Sequence, residues 1–260
     1  MPKTFPTLNE EIALLHAGHT AIAGLDEAGR GAWAGPVSAG AVILPLADPT
    51  LPDRLQGVTD SKLCTPRQRD VYYDQICQVA LAWAVALVPA WRIDQIGIVP
   101  STRQAMAQAI ANLDLSPDAL LIDALKLPEI ERPQRSLNKG DLKSLTIAAA
   151  SILAKVTRDR TMIALHEIYP DYGFARHKGY GTPQHRLALQ SLGPLAVHRW
   201  TFAPVAAVAR GRTRPLPNEQ SPQTNWACSL AAAASAAMCS GELPQHAPIT
   251  CAPHSTKRGR

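Results

Sequence analysis

Asp26 and Glu27 are adjacent carboxylates at the end of an apolar stretch, TAIAGL (20–25), and Ala28-Gly29-Arg30-Gly31 follow at once. Neighbouring carboxylates repel each other and resist desolvation, so such a pair belongs either in a solvated turn or around a cation. Asp123 closes a second apolar stretch, ALLID (119–123), and Asp141 follows Lys139-Gly140 just ahead of the longest helical pattern in the chain. Taken singly, each reads as a turn residue or a helix cap. Together they place carboxylates at the ends of separate buried elements. That is what phosphodiester hydrolysis by a pair of hard divalent ions requires. The two ions sit roughly 3.5–4 Å apart, so oxygen ligands must come from several segments; one ion activates water and the other stabilises the leaving oxygen. Asp159 is a weaker candidate, because Lys155 precedes it by one helical turn and an ion pair accounts for it.

The elements that must position these groups are legible from pattern and punctuation. Residues 20–25 and PVSAGAVIL (36–44) read as buried strands joined by a tight, Gly-rich link. LAWAVALV (81–88) and ALLID (119–123) read as further strands, and RSLNKG (135–140) as one more. Thr7 and Glu10 have capping-box spacing, which predicts a short helix ending near Gly18. Thr65-Pro66 opens a helix to about 78, Ser101 caps a helix over 101–113, and Thr182-Pro183 opens another. Residues 143–168 carry Leu145, Ala148, Ile152, Val156 and Ile163 as one apolar stripe. Strands and helices thus alternate, which predicts an α/β fold with a mixed sheet covered by helices. After about residue 206, Pro, Gln, Ser, Thr and Ala dominate, with AAAASAA near 231–237, so a disordered tail over 209–260 is expected.

Composition sets outer limits. No apolar run spans a bilayer, and the start MPKTFPTLNEE is no secretory signal, so no membrane partner is expected. Cysteines 64, 77, 228, 239 and 251 have no CxxC spacing and read as thiols of a reducing compartment, the cytoplasm. Residues 1–209 hold 20 basic and 19 acidic side chains, whereas 210–260 hold 6 and 2, so most of the net +5 lies in the tail. Within the folded part, residues 139–199 hold 9 basic and 4 acidic groups, a patch suited either to a phosphate backbone or to a solvated face.

Longer blocks then carry a resemblance. GLDEAGRGAWAGPVSAGAVIL (24–44) resembles the first signature of the bacterial ribonuclease HII family. TDSKLCTPRQR (59–69), LLID (120–123), NKGDLKSLTIAAASILAKVTRDRTM (138–162), YPDYGFARHKGYGTPQH (169–185) and HRWTFAPV (198–205) resemble its later blocks, in the same order. The resemblance covers about 20–206, and that many blocks in order is far more specific than one short motif. It implies a ribonuclease H-like mixed five-stranded sheet flanked by helices, with a C-terminal helical extension. A helical lead-in (1–19) and the tail (209–260) would flank a catalytic domain over 20–208.

The resemblance also implies roles. Asp26, Glu27, Asp123 and Asp141 match the family's metal ligands, for Mg2+ or Mn2+. Gly29, Arg30 and Gly31 match the loop that approaches the ribonucleotide, and Tyr180 matches the tyrosine that reads the RNA–DNA junction. A loop with two glycines lets backbone groups come close to a sugar and sense its 2′-hydroxyl. Lys62, Lys143, Lys155 and Arg176 are candidate phosphate contacts, and His177, beside Lys178, is read as another. The implied substrates are RNA–DNA hybrids and DNA duplexes with embedded ribonucleotides, cut by a monomer in ribonucleotide excision repair. Two positions depart from the family. Ala124 stands where glycine is usual, and alanine disfavours positive φ, so the loop after Asp123 is expected to take another course. Leu63-Cys64 follow Lys62 where a polar residue and leucine are usual. The alternatives are another metal nuclease or integrase of this fold, which need not share the GRG and KGYG blocks, and a non-catalytic nucleic-acid-binding relative, which should have lost a carboxylate.

Overall fold

The apolar run that ends at Asp26 and Glu27 forms the middle strand of a sheet. The computed structural model describes residues 5–214. Within them lie β1 (Ile22–Ala28), β2 (Val37–Ile43), β3 (Ala82–Val88), β4 (Ala119–Asp123) and β5 (Gln134–Leu137). Their order is β3-β2-β1-β4-β5. β1, β2 and β3 pair antiparallel, while β4 runs parallel to β1 and β5 parallel to β4. The expected mixed five-stranded sheet is therefore present. The helices are α1 (Asn9–His16), α2 (Leu51–Arg54), α3 (Pro66–Val79), α4 (Ala90–Ile96), α5 (Ile98–Ala111), α6 (Leu145–Ile168), α7 (Phe174–His177), α8 (Pro183–Leu192) and α9 (Ala203–Ala209).

Both faces of the sheet are covered, which is why its central strands read as continuous apolar runs and not as alternation. On one face Ala105, Met106, Ala109 and Ile110 of α5 pack against Ala23, Leu25, Ala39 and Ala41. On the other, α3 and α6 pack against Val42 and Val85. α6 sits unusually low. A Cβ on Gly24 would lie 2.4 Å from the carbonyl carbon of Thr146, and one on Gly40 would lie 2.5 Å from the carbonyl oxygen of Ala150. Only glycine lets the helix rest on the strand backbones there.

The start of α6 is fixed by a residue that pattern did not single out. Ser144 caps the helix, accepting from the amide of Ile147 at 3.1 Å. Fully buried Glu11 of α1 accepts from the Ser144 hydroxyl at 2.6 Å and from the Thr146 amide at 2.9 Å. A carboxylate at a helix N-terminus meets unpaired amides and the positive end of the dipole. Asp141 sits in the short 3-10 turn (Gly140–Leu142) just before this point.

Several local expectations change. Thr7 does not cap α1; its backbone bridges to the segment before α6, with its amide donating to the Lys143 carbonyl at 3.1 Å. Glu10 pairs with Arg135 at 2.9 Å instead of closing a capping box. α5 begins at Ile98, so Ser101 is a buried residue inside it and not its cap. Thr65 and Gln68 do form a capping box, and Thr182 caps α8 through the amide of His185. Ile163 leaves the apolar stripe and is 44% exposed. Cys64 enters the core while Leu63 turns to solvent, so the changed dipeptide keeps one apolar side chain inside. Cys64 and Cys77 form no disulfide. Among the described residues no helix is long and apolar enough to cross a membrane. The expected tail, from residue 215 onward, lies outside the described residues, as do its Ala-rich run and three of the cysteines.

Ala124 overturns the expectation placed on it. It adopts φ 51, the left-handed conformation that glycine would take. Its amide donates to the Leu137 carbonyl at 3.0 Å, and the Leu125 amide reaches the Asp123 carbonyl at 2.6 Å. These bonds hold the turn in spite of the alanine Cβ. A left-handed alanine costs about 1–2 kcal/mol, and glycine's greater freedom in the unfolded chain returns about 0.4–1 kcal/mol of that. Ala124→Gly should therefore stabilise the protein by roughly 0.5–1 kcal/mol, a rise of a few degrees in melting temperature. An unchanged or lower melting temperature would show that the turn is not strained.

Candidate active site

The parallel pairing of β1 with β4 sets Leu25 beside Ile122. The next residues of the two strands are Asp26 and Asp123, so two carboxylates leave the sheet side by side at its carboxyl edge. Side chains alternate along a strand, so Asp26 shares with Gly24 the face covered by α6. Asp26 is buried, and its Oδ1 accepts from the Glu27 amide at 2.7 Å. Asp123 Oδ1 accepts from the Gly140 amide at 2.7 Å, which ties the end of β4 to the turn that carries Asp141. Glu27 Oε1 accepts from Arg30 Nη1 at 3.0 Å, while its other oxygen is buried without a partner among the described residues.

The four carboxylates feel one another. Burial raises the Asp26 pKa well above the ordinary value, and the charges of Glu27 and then Asp123 raise it further. Burial also raises Glu27, against the pull of Arg30. Asp141 is pushed up to about 6 by burial and by the charges of Asp60 and Asp123. Burial pulls the Lys62 ammonium down, but Asp60, Asp26, Asp141 and Asp123 outweigh it and leave its pKa raised. Lys62 thus acts as counter-ion to the whole group. Asp60, which pattern did not mark, belongs here too. It accepts from the Lys62 amide at 2.8 Å, and its negative charge helps to raise the Asp141 carboxyl. Its signal in the sequence was its place directly before Ser61 and Lys62.

Among the described residues, no three carboxylate, imidazole or thiol groups stand close enough to hold an ion as they are now arranged. Asp26 and Asp123 each have an oxygen turned onto a backbone amide, and Glu27 has one turned onto Arg30. The chemistry of the set nonetheless fits a hard divalent cation: every donor is oxygen, the like charges repel, and a buried Glu27 oxygen has no partner.

Glu27, Ala28, Gly29, Arg30, Gly31, Ser61, Lys62, Lys155 and Tyr180 line one open cleft. Most of the expected substrate residues therefore meet. Tyr180 lies under two cations, with Lys155 Nζ 5.7 Å and the Arg158 guanidinium 5.2 Å from its ring centre. Lys155 also bonds Asp159 at 2.7 Å, the ion pair read from their spacing. The amide of Trp33 donates to the Gly179 carbonyl at 2.8 Å, joining the loop after β1 to the loop that bears Tyr180. Lys143 and Arg176 are exposed and do not line this cleft. Of the nine cations in 139–199, Arg158 and Arg199 are fully buried, so the surface patch is weaker than its composition implies.

His177 is not a phosphate contact in this arrangement. It is buried, with Nε2 2.7 Å from the Tyr172 carbonyl and Nδ1 accepting from the Gly179 amide at 3.2 Å. His198 Nδ1 accepts from the Leu195 amide at 2.9 Å, and its Nε2 lies 3.2 Å from His185 Nε2. His185 Nδ1 in turn lies 3.0 Å from the Tyr180 carbonyl. These contacts assign each ring one proton: on Nε2 in His177 and His198, on Nδ1 in His185. Burial lowers all three, His185 to about 4 and His198 to about 3, so they are neutral supports beneath the Tyr180 loop.

Solved structures share this architecture. Ribonuclease H2 from Pyrococcus horikoshii OT3 matches with a TM-score of 0.61 at 27% identity, covering 74% of this chain and 98% of that one. The ribonuclease HII of a PCNA complex from Archaeoglobus fulgidus gives 0.61 and 27%, covering 76% and 98%. A ribonuclease HIII solved with Mn2+ gives 0.55 at 18% identity and bears on the fold alone. Fold and acidic edge together define a hydrolase of the ribonuclease H-like class. The family model for ribonuclease HII matches residues 23–205. Curated ribonucleases HII from Roseiflexus castenholzii and Halalkalibacterium halodurans are each 53% identical, over 80% and 75% of this chain and 93% and 72% of their own lengths. The chain belongs to the ribonuclease HII family, and its activity is that of a ribonuclease H.

The raised Asp141 carboxyl gives the metal-free protein a pH signature. An acid with a folded pKa above its unfolded value binds its proton more tightly in the native state, so its support for folding is present at low pH. That support declines as pH rises through the window from 3.8 to about 6. In chelator, Asp141→Asn should therefore gain stability relative to wild type between about pH 4 and about pH 6.5. Melting curves of both proteins at the two pH values check this, and a constant difference would mean that Asp141 titrates normally.

Proposed function

We propose that this chain hydrolyses the RNA strand of RNA–DNA hybrids and cuts on the 5′ side of ribonucleotides embedded in duplex DNA. The observation that carries the reading is the electrostatic coupling of Asp26, Glu27, Asp123 and Asp141, from three segments, with Glu27 lining a cleft that also holds residues 29–31 and Tyr180. Those carboxylates would hold two divalent ions, Mg2+ or Mn2+, which when bound supply an activated water and stabilise the leaving oxygen. The residues of the chain do the rest. Lys62 and Lys155 offer cations to the phosphates of the cut strand. The loop 29–31 brings backbone amides against the ribose, where a 2′-hydroxyl distinguishes RNA from DNA. Tyr180, fixed from below, offers a ring to the sugar at the junction. The working unit is residues 20–208, acting as a cytoplasmic monomer in the removal of ribonucleotides from DNA.

The direct test is a DNA duplex with one ribonucleotide, incubated with and without Mg2+ or Mn2+. Cleavage should need the ion and leave a 3′-hydroxyl and a 5′-phosphate. Full activity in chelator, or a 2′,3′-cyclic phosphate product, would overturn the reading. Asp26→Asn, Glu27→Gln, Asp123→Asn and Asp141→Asn should each lower kcat by roughly 1000-fold, the scale of the several kcal/mol that a bound ion supplies. Their melting temperatures without metal should not fall, since charge repulsion is relieved.

Tyr180→Ala should lower cleavage at a single ribonucleotide by roughly 10- to 100-fold while leaving duplex affinity within about threefold. The ring meets one sugar, whereas affinity is spread over many phosphates. Binding and cleavage that fell equally would assign Tyr180 to packing.

A further inference from the structure

Arg158 and Arg199 are fully buried, and among the described residues every hydrogen bond they make goes to a backbone carbonyl within residues 29–36. Arg199 donates through Nη2 to Gly29 and Pro36 at 2.7 and 3.0 Å, through Nη1 to Arg30 at 2.7 Å, and through Nε to Gly35 at 3.1 Å. Arg158 donates through Nε to Pro36 at 2.9 Å and through Nη2 to Ala34 at 3.2 Å. Neither arginine forms an ion pair among the described residues, although Asp159 and Asp94 lie near enough to be felt. Burying a cation without a paired carboxylate costs several kcal/mol, and an apolar side chain would serve packing better. What a guanidinium provides instead is a rigid fork of donors that can turn several carbonyls of one loop inward together.

The peptide bond makes that turning consequential. In a trans peptide the C=O and the following N–H point in opposite directions. Drawing the carbonyls of Gly29 and Arg30 inward therefore turns the amides of Arg30 and Gly31 outward, on a segment that lines the cleft. Among the described residues these two amides donate to no protein group. Successive free amides form a concave seat for an anionic or acceptor oxygen. The fit beneath the loop is close: a Cβ on Gly29, whose φ is +92, would lie 1.9 Å from Arg158 Nε. The guanidinium of Arg158 also meets the Tyr180 ring, so both substrate loops rest on the same buried charge.

We infer that Arg199, with Arg158 beside it, is a positioning residue for ribonucleotide recognition: it holds the carbonyls of Gly29 and Arg30 inward so that the amides of Arg30 and Gly31 face an acceptor oxygen of the substrate. The inference rests on the assignment of 29–31 as the ribonucleotide loop proposed above. Arg199→Met keeps the apolar stem and removes the fork. Arg199→Lys keeps a charge but donates from one nitrogen, which cannot span four carbonyls.

Two measurements on both variants test it. The first, hydrogen exchange by mass spectrometry, needs no activity. Segment 29–36 should exchange roughly tenfold faster, while β2 and β3 exchange as in wild type. The second is steady-state cleavage of a duplex with one ribonucleotide. Here kcat should fall by about 100-fold, the scale of a lost alignment, with KM and the affinity for an all-DNA duplex within about threefold of wild type. Unchanged exchange in 29–36, or a kcat within about threefold of wild type, overturns the inference. So does a loss of activity that only follows the unfolded fraction in the melting curve, since that marks a purely structural arginine. Should Arg199→Met fail to fold, the lysine variant carries both measurements. A wild-type protein that cuts no ribonucleotide-containing duplex would refute the functional reading instead, and the exchange data would still decide whether Arg199 holds the loop.

Discussion

α6 lies directly on the backbones of β1 and β2, with Gly24 and Gly40 leaving no Cβ between them, and several parts of the site take their position from that seat. The turn before the helix carries Asp141. Its second turn brings Ser151 to Asp26. Further along, Lys155 and Arg158 reach Tyr180, and Arg158 also reaches the carbonyls after β1. A bulkier residue at either glycine would lift the helix and separate these groups together. The N-terminus of α6 is equally constrained, because Glu11 meets both Ser144 and the Thr146 amide without access to water.

Charge is arranged in two layers around that helix. At the cleft, burial and then neighbouring negative charge raise the pKa values of Asp26, Glu27 and Asp141, and Lys62 partly offsets this at Glu27 and Asp141. Such an arrangement is unfavourable for the protein by itself and favourable once positive charge arrives, which is the balance a cation site requires. Beneath the cleft the order reverses. Two buried guanidiniums and three neutral imidazoles hold loop backbone from inside, and none of them lines the cleft. The histidines could not do this if protonated, since each accepts a hydrogen bond through one ring nitrogen. Burial keeps them neutral.

Much of the fold could be read from the chain because buried strands on a doubly covered sheet are continuous apolar runs. Four of the five strands fall where such runs stand, while β5 (Gln134–Leu137) is a mostly polar edge strand that overlaps the stretch read at 135–140. Where reading failed, a long-range partner had taken over a local signal. Thr7 and Glu10 have the spacing of a capping box, yet a bridge to the segment before α6 and a bond to Arg135 claim them instead. Ala124 shows the same competition in the backbone: steric preference argues against a left-handed alanine, but hydrogen bonds to Leu137 and across the turn fix it there.

The sequence by itself determined the chemistry. Block order identified the family, and residue type and position singled out the carboxylates, the glycine loop and the tyrosine as its candidate site residues. It also determined the ion pair of Lys155 with Asp159, since helical spacing alone brings them together. Only the tertiary structure decided which charges meet the cleft. Lys155, Arg158, Arg199 and His177 look alike as polar letters within adjacent blocks. Yet one lines the cleft, and three are buried on backbone carbonyls and amides. Asp60 joined the acidic group for the same reason. Burial and distance across the fold are not properties of a residue or its neighbours in the chain; they arise only when strands pair and α6 settles onto them.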